Sequence, residues 1–200
     1  MAGVLQIGIT GGIGSGKTLV CRIFHCLGIP LYDADSRAKN LMTTDGILVE
    51  QIKKDFGTLS YNEDGSLNRK YLGQIVFDQK HKLEKLNQLV HPRVAMDYKG
   101  WIYEQINVRY VIKEAALLFE SGSYKGLDKV VVVSASEQIR MKRVLQRDAH
   151  RKEKDVLNIF SNQLTEAERL QRADFIITND ESQLVIPQVL ELHERFIRMN

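Results

Sequence analysis

The chain has 200 residues, which is enough for one compact unit with insertions and too few for an assembly of several modules. Its 44% hydrophobic and 26% charged residues exclude extended disorder. A net charge of +3, from 28 basic and 25 acidic residues, predicts neither a nucleic-acid partner nor a membrane surface. No apolar run approaches the roughly 18 residues that span a bilayer.

The amino terminus and the cysteines both indicate a cytoplasmic protein. The first ten residues, MAGVLQIGIT, lack the basic segment of a signal peptide. Cys21 and Cys26 fall in one predicted helix, with neither metal-ligand nor disulfide spacing, so we expect reduced thiols. We expect a monomer or a weak homo-oligomer.

The first third of the chain begins with a strand, a glycine loop and a helix. Residues 5–10 form a short apolar run, and apolar residues at helical spacing follow Lys17. Gly28 is placed to end that helix, and residues 29–32 form a second apolar run. This βαβ beginning predicts a parallel sheet.

Residues 36–105 read as a helical insertion on that sheet. Leu83, Leu86 and Val90 form one apolar stripe, and a second stripe begins at Val94. We expect Pro92 to end one helix or begin the next, and residues 62–66 to form a loop.

The remaining segments predict strands and helices in alternation. Val- and Ile-rich runs at 110–112, 129–134 and 175–178 bring the strand count to five. Helices are predicted at 138–148, 153–163 and 183–198. The fold class is therefore α/β, with a five-stranded parallel sheet.

The most informative motif is GGIGSGKT at residues 11–18, which fits GxxxxGK[ST] between a predicted strand and a predicted helix. Such a loop turns its backbone N–H groups toward phosphates, its lysine reaches the terminal phosphates, and its hydroxyl can bind Mg²⁺. The alternative is a glycine turn with a helix-capping threonine. The candidate nucleotide-binding residues are Gly12, Ile13, Gly14, Ser15, Gly16, Lys17 and Thr18.

Two carboxylates, Asp33 and Asp35, follow the second predicted strand at the sheet edge where the loop opens. One could accept a proton from an attacking hydroxyl, while the other holds Mg²⁺ through water or binds a substrate hydroxyl. Alternatively, either one caps the helix that begins near Ser36.

Basic residues recur along the predicted helix at 138–148. Arg140, Arg143 and Arg147 share one face, which suits a polyphosphate or a mobile lid that neutralises charge on a transferring phosphoryl group. A solvated basic face is the alternative.

Polar residues elsewhere give weaker signals. His91 and Pro92 precede Arg93, which we expect in the first turn of a helix, where a cation suggests an anionic partner. Glu114 and Glu120 flank the run ALLF, and surface or capping roles are an equal alternative for both.

The ordered set of motifs resembles the dephospho-CoA kinase family over nearly the whole chain. The matching motifs are TGGIGSGK at 10–17, DAD at 33–35, His91-Pro92, LLFE at 117–120, Arg143 with Arg147 and Asp148, Gln163, and Ala173-Asp174 with Asn179. A phosphate loop alone would indicate only an NTPase.

This resemblance implies a three-layer P-loop kinase fold with a core of residues 1–35, 106–138 and 172–200, a CoA-binding insertion at 36–105 and a lid at 139–171. The implied reaction moves the γ-phosphoryl group of ATP, with Mg²⁺, to the ribose 3′-hydroxyl of dephospho-CoA. The implied roles are Asp35 as base, Lys17, Arg143 and Arg147 on the phosphates, Thr18 and Asp33 toward Mg²⁺, Asn179 toward the nucleotide, and Asp33, Asp35, His91, Arg93 and Leu117 toward the acceptor.

The chain departs from the family pattern at two places. Ala116 stands where the family usually has the proline of PLLFE, and Glu181 replaces a frequent glycine after Asn179. The turn after the third strand and the loop on the adenine side are the segments that these departures affect.

Other functions share parts of this pattern. A kinase for a nucleoside, sugar or hydroxy acid needs the same loop, carboxylate and lid. A GTPase needs an NKxD motif that the sequence lacks, and a non-catalytic ATP-binding adaptor has no need for a carboxylate pair with an arginine lid.

Overall fold

The computed structural model describes residues 3–77 and 79–199. The chain divides into two compact units. One comprises the residues up to Asp33 and those from Gln105 onward, and the other is the continuous stretch Ala34–Glu104. Within the described residues, no helix has the length and apolar character needed to cross a membrane.

A five-stranded sheet forms the first unit, and every strand pair in it is parallel. The strands are β1 (Leu5–Thr10), β2 (Leu31–Asp33), β3 (Tyr110–Glu114), β4 (Lys129–Ser134) and β5 (Phe175–Thr178). Their spatial order is β2-β3-β1-β4-β5. The predicted strand count and parallel sheet are confirmed.

Helices occupy most of the remaining chain. They are α1 (Lys17–Cys26), α2 (Ala34–Thr44), α3 (Gly46–Phe56), α4 (Arg69–Phe77), α5 (Lys80–Tyr103), α6 (Glu137–Arg147), α7 (Glu153–Ser161), α8 (Glu166–Gln171) and α9 (Val185–Met199). The helices predicted at 138–148, 153–163 and 183–198 are confirmed as α6, α7 and α9, with bounds shifted by one or two residues.

The core of the first unit lies between the sheet and its helices. Val20 and Phe24 of α1 and Val189 of α9 are fully buried against strand residues such as Ile9. Val130, Val131, Val132 and Val133 of β4 are all buried, as expected for a strand of a parallel sheet that helices cover on both faces. Gly28 ends α1 with a φ of +82°, as its predicted position just past the helix end requires.

The strand register determines where the site forms. Ile9 and Asp33 both lie opposite Glu114, so β1, β2 and β3 end together. The glycine loop leaves β1 directly after Thr10 at the same edge. Carboxyl ends of parallel strands are where ligands bind in open α/β sheets.

The second unit corrects the prediction for Pro92, which lies inside the single helix α5 and does not separate two helices. Proline in a helix interior costs about 3 kcal/mol because it removes a hydrogen bond and crowds the preceding turn. Apolar side chains recur every four residues across the proline and all are buried: Leu86, Val90, Val94 and Tyr98. Burial of this continuous stripe offsets the cost.

The same helix changes the interpretation of Arg93, which lies in the middle of α5 and not in a first turn. Its Nε donates to Asp45 Oδ2 at 2.5 Å, and the other carboxylate oxygen of Asp45 caps α3 by accepting from the N–H of Leu48. An anionic partner was expected for Arg93, and this carboxylate within the unit is one. The predicted loop at 62–66 is confirmed, closed by a bridge between Tyr61 and Leu67.

Candidate active site

The glycine loop at residues 11–16 ends directly on α1. Gly16 caps the helix with a φ of +94°, a left-handed conformation that a residue without Cβ adopts at little cost. The first turn of α1 contains no acidic side chain, so the positive end of its dipole is not neutralised from within the helix. Lys17 Nζ donates to the Gly11 carbonyl at 2.9 Å, which folds the lysine back along the loop.

Asn179, just past β5, holds this loop although β4 lies between β5 and β1 in the sheet. Its Nδ2 donates to the Ser15 carbonyl at 2.8 Å. A Cβ at Gly16 would collide with the same amide nitrogen. The hydroxyl of Ser15 is buried and has no hydrogen-bond partner within the described part of the chain, so the loop retains one unsatisfied polar group.

A buried carboxylate faces the first turn of α1. Glu114, at the end of β3, accepts a hydrogen bond from Thr18 Oγ1 at 3.1 Å and is 9% exposed. Burial raises its pKa, and the charge of Asp33 adds to that effect, while the charge of Lys17 and the Thr18 hydrogen bond lower it. The structure thus brings together Lys17, Thr18, Asp33 and Glu114.

Glu114 is the residue that sequence reasoning undervalued. An even choice between a functional carboxylate and a surface or capping one was expected for Glu114, and its burial excludes the surface role. Its signal was present: an acidic residue that directly follows a strand next to β1 falls at the ligand edge of the sheet. Burial and Glu114 itself also raise the pKa of Cys21 well above its ordinary value, which keeps this thiol protonated and unreactive.

The three arginines of α6, whose spacing puts them on one face of the helix, occupy different environments along it. Arg140 is buried, while Arg143 donates to the Asn179 carbonyl at 2.8 Å. Arg147 is 63% exposed and forms a bidentate ion pair with Asp148, which lowers the pKa of that carboxyl to about 2. Arg143 is therefore the arginine of α6 that contacts the Asn179 loop.

Residues near the end of α7 also contact the loop and the turn after β3. Gln163 Oε1 accepts a hydrogen bond from the backbone N–H of Ile13 at 3.1 Å. The Ile13 N–H, which was predicted to bind phosphate, therefore has a partner within the protein. Glu120 Oε1 accepts from the Leu164 N–H at 3.0 Å. Leu117, a predicted substrate contact, is 43% exposed in the turn that follows β3.

Three predicted acceptor contacts belong to the second unit. Asp35 lies in the first turn of α2, two residues past the end of β2, where the helix dipole favours an anion. His91 and Arg93 lie near the middle of α5. Their predicted roles toward the substrate stay predictions.

The donor set suits a cation that takes few protein ligands. Across residues 3–77 and 79–199, no cluster of three or more His, Cys, Asp or Glu side chains could hold a metal. Mg²⁺ usually retains several waters and binds one or two side chains together with substrate phosphates. The Thr18 hydroxyl, with the Glu114 and Asp33 carboxylates near it, fits this Mg²⁺ coordination. These three groups are too few to coordinate a metal ion without water or phosphate ligands.

The parallel sheet, the phosphate loop and the acidic strand ends define a P-loop kinase. A family model described as CoaE, dephospho-CoA kinase, matches residues 5–184. A dephospho-CoA kinase from Chlorobium chlorochromatii is 38% identical over 201 residues, covering 97% of this chain and 94% of the relative. The chain belongs to the dephospho-CoA kinase family.

Solved structures agree with this assignment. The dephospho-CoA kinase from Campylobacter jejuni superposes with a TM-score of 0.71 at 27% identity, covering 98% of each chain. The protein TT1252 from Thermus thermophilus superposes with a TM-score of 0.84, also at 27% identity, covering 97% of this chain and 98% of that one. Both likenesses extend over the inserted helical unit as well as the sheet.

Proposed function

We propose that the protein transfers the γ-phosphoryl group of ATP to the ribose 3′-hydroxyl of dephospho-CoA, which gives CoA and ADP in the last step of CoA synthesis. Family membership supports the reaction and the acceptor. The observation that carries the site is the grouping of Lys17, Thr18, Asp33 and Glu114 at the start of α1. We also propose a cytoplasmic monomer, consistent with two unbridged cysteines.

The phosphate loop binds the nucleotide in this proposal. Backbone amides of residues 14–18 and the N-terminus of α1, whose own first turn has no acidic side chain, attract the β- and γ-phosphates. Lys17 exchanges its contact with the Gly11 carbonyl for the terminal phosphates. Asn179, which holds Ser15, brings the loop after β5 to the nucleotide side.

Asp35 accepts the proton of the attacking 3′-hydroxyl. Asp35 follows by two residues Asp33, the last residue of β2, which pairs with Glu114. A positioned base contributes typically 10²- to 10⁴-fold, on the order of the effect expected here. Asp33 then orients the ribose or supports the metal site, and His91, Arg93 and Leu117 contact the acceptor.

Thr18 would hold Mg²⁺ directly, and Asp33 or Glu114 would act through water. When bound, the ion neutralises charge on the β- and γ-phosphates. The hydrogen bond between Thr18 and Glu114 orients the hydroxyl so that a lone pair is available to a cation. The negative charge of Glu114 and Asp33 near the Thr18 hydroxyl favours the binding of a cation there.

Arg143 and Arg147 clamp the transferring phosphoryl group. Arg143 is already held beside the Asn179 loop, so a small rotation about its side-chain bonds redirects it. Arg147 must exchange its ion pair with Asp148 for phosphate oxygens. Guanidinium forks match phosphate geometry, and closing them over the site excludes water.

An ADP-release assay tests the reaction and the acceptor together. Purified protein with Mg-ATP is given dephospho-CoA, adenosine, nucleoside monophosphates or simple sugars at equal concentration. Turnover with dephospho-CoA alone is expected. Turnover only with another alcohol would retain the P-loop kinase class and refute the proposed acceptor.

A further inference from the structure

Two arginines are buried against the phosphate loop at Gly12. Arg140 and Arg169 are each 2% exposed. A Cβ built on Gly12 would collide with the terminal guanidinium nitrogens of both. Gly12 is not among the residues with a positive φ, so its backbone conformation suits any amino acid. Glycine is required there because the two guanidinium groups occupy the space of a side chain.

Neither guanidinium group is free to move aside. Arg140 Nε donates to the Ala135 carbonyl at 3.1 Å, and its guanidinium carbon lies 4.5 Å from the centroid of the Phe160 ring. Arg169 donates to Glu166 Oε2 at 2.9 Å. Arg140 of α6 and Arg169 of α8 therefore meet the loop at Gly12, and Phe160 of α7 packs against Arg140. The adjacent Ile13 amide, bound by Gln163, adds another attachment.

Burial of two like charges together is costly, which argues against a purely stabilising role. Burial lowers the pKa of Arg140, and the neighbouring charge of Arg169 lowers it further, while Glu166 opposes both. Apolar side chains of similar volume at such positions are often neutral or stabilising. The charged pair is thus better explained by what it does to the loop than by what it adds to the fold.

We infer that Arg140 and Arg169 are positioning residues of the phosphate loop. They hold the backbone at Gly12, and thereby direct the amides that follow it toward the β- and γ-phosphates. The inference rests on the proposed nucleotide site, and it adds a second role to the segment 139–171. That segment supplies the support for the loop as well as the arginines of a lid.

The test compares the affinity of folded variants for ADP and for adenosine, which has no phosphates. Arg140→Met and Arg169→Met keep an unbranched apolar side chain in place of the arginine stem and remove the guanidinium group with its charge and hydrogen bonds. We expect ADP dissociation constants to rise about 10-fold or more, with adenosine changed less than about twofold. Lys142→Met, an exposed position on the same helix, is the matched control and leaves both affinities unchanged.

Two results would overturn the inference: ADP affinity within about twofold of wild type in both methionine variants, or an equal loss of ADP and adenosine affinity, which indicates general damage. A wild-type protein that binds ADP but does not phosphorylate dephospho-CoA refutes the proposed reaction and leaves this inference intact. Calorimetry on the wild type therefore comes first.

A second pair of variants does not depend on the methionine variants folding. Gly12→Ala makes the loop collide with both guanidinium groups without removing them, so we expect an ADP affinity loss similar to that of Arg140→Ala. In the double variant the two losses do not multiply, because the added methyl group no longer collides with Arg140 once that side chain is gone. If the ADP affinity losses of the two single variants multiply fully in the double variant, Arg140 and Gly12 act independently. That result would refute the contact between them as the cause of the affinity loss.

Discussion

The hydroxyl of Thr18 donates a hydrogen bond to Glu114 at 3.1 Å, which joins the first turn of α1 to the carboxyl end of β3. The acceptor is a buried carboxylate with a raised pKa, and the donor is the residue that follows the loop lysine. A cation near this pair would compensate the charge that burial penalises. The pair consequently links the stability of the fold to the occupancy of the site.

Glu114→Gln is expected to stabilise the metal-free protein at pH 8 by about 1 kcal/mol, because it removes a buried charge. Since burial raises the pKa of Glu114 in the folded state, its carboxylate costs stability above that pKa. Below about pH 4 the carboxyl is protonated in both states and the difference disappears. Urea unfolding at several pH values measures this.

The same Glu114→Gln variant is expected to weaken the dependence of ADP binding on Mg²⁺, measured by calorimetry with and without the ion. Glu153→Gln, an exposed position in α7, is the control for both measurements. An unchanged stability profile together with an unchanged Mg²⁺ dependence would remove Glu114 from the site.

Asp35→Asn is expected to lower kcat by about 10²- to 10⁴-fold, because an amide cannot accept the proton of the 3′-hydroxyl. The KM for ATP should stay within about twofold, which separates loss of the base from loss of nucleotide binding. Steady-state ADP release measures both constants. Glu63→Gln, in the exposed loop of the second unit, serves as the control, and an Asp35→Asn enzyme with wild-type turnover would eliminate the base assignment.

Lys17→Ala is expected to reduce phosphoryl transfer by at least about 10²-fold, because a cation no longer compensates charge on the terminal phosphates. Binding of ATP should weaken in parallel. Lys125→Ala, at an exposed position in the first unit, should change neither quantity. Single-turnover kinetics measures the transfer, and an active Lys17→Ala protein would contradict the role of the loop.

Gly16→Ala is expected to lower the free energy of unfolding by about 1–2 kcal/mol, since a residue with Cβ at a φ of +94° is strained. The added methyl group also meets the Asn179 amide, so ATP affinity should fall. Gly126→Ala is the control, because nothing lies within 4 Å of the added atom and its φ is not positive. Equal effects of the two substitutions in urea unfolding and ATP titration would argue against this account.

Pro92→Ala is expected to raise the free energy of unfolding by about 2 kcal/mol, because alanine restores a hydrogen bond in the interior of α5. Denaturant unfolding measures the gain. Lys99→Ala, at an exposed position in the same helix, should change it by less than about 0.5 kcal/mol. A loss of stability in Pro92→Ala would mean that the burial of the apolar stripe depends on the proline.

Three of the five strands could be predicted to the residue, at 5–10, 129–134 and 175–178, because their apolar runs end at polar or glycine residues. The runs predicted at 29–32 and 110–112 are shifted or extended, since β2 is Leu31–Asp33 and β3 is Tyr110–Glu114. The prediction that Pro92 separates two helices was wrong for a physical reason. The local tendency of proline to end a helix was outweighed by the tertiary burial of apolar side chains spaced four residues apart along α5.

The site was predictable where its residues are consecutive in the chain. The loop at 11–18 has its glycines, lysine and threonine at the spacing of the GxxxxGK[ST] motif, which is typical of a phosphate-binding loop. Glu114 and Arg140 were undervalued because their burial depends on neighbours far away in the sequence, namely Thr18 for one and Gly12 with Phe160 for the other. No local pattern distinguishes such a residue from a solvated charge.

The interruption of the first unit by Ala34–Glu104 has a consequence for synthesis on the ribosome. The central strand β1 pairs with β3 and β4, whose first paired residues are Tyr110 and Lys129. It therefore has no hydrogen-bonded strand beside it until more than half of the chain has been made. The helical unit, in contrast, is one continuous segment that is translated in full before β3 emerges. The order of translation thus favours a nascent chain in which helices assemble while the phosphate loop still lacks its sheet.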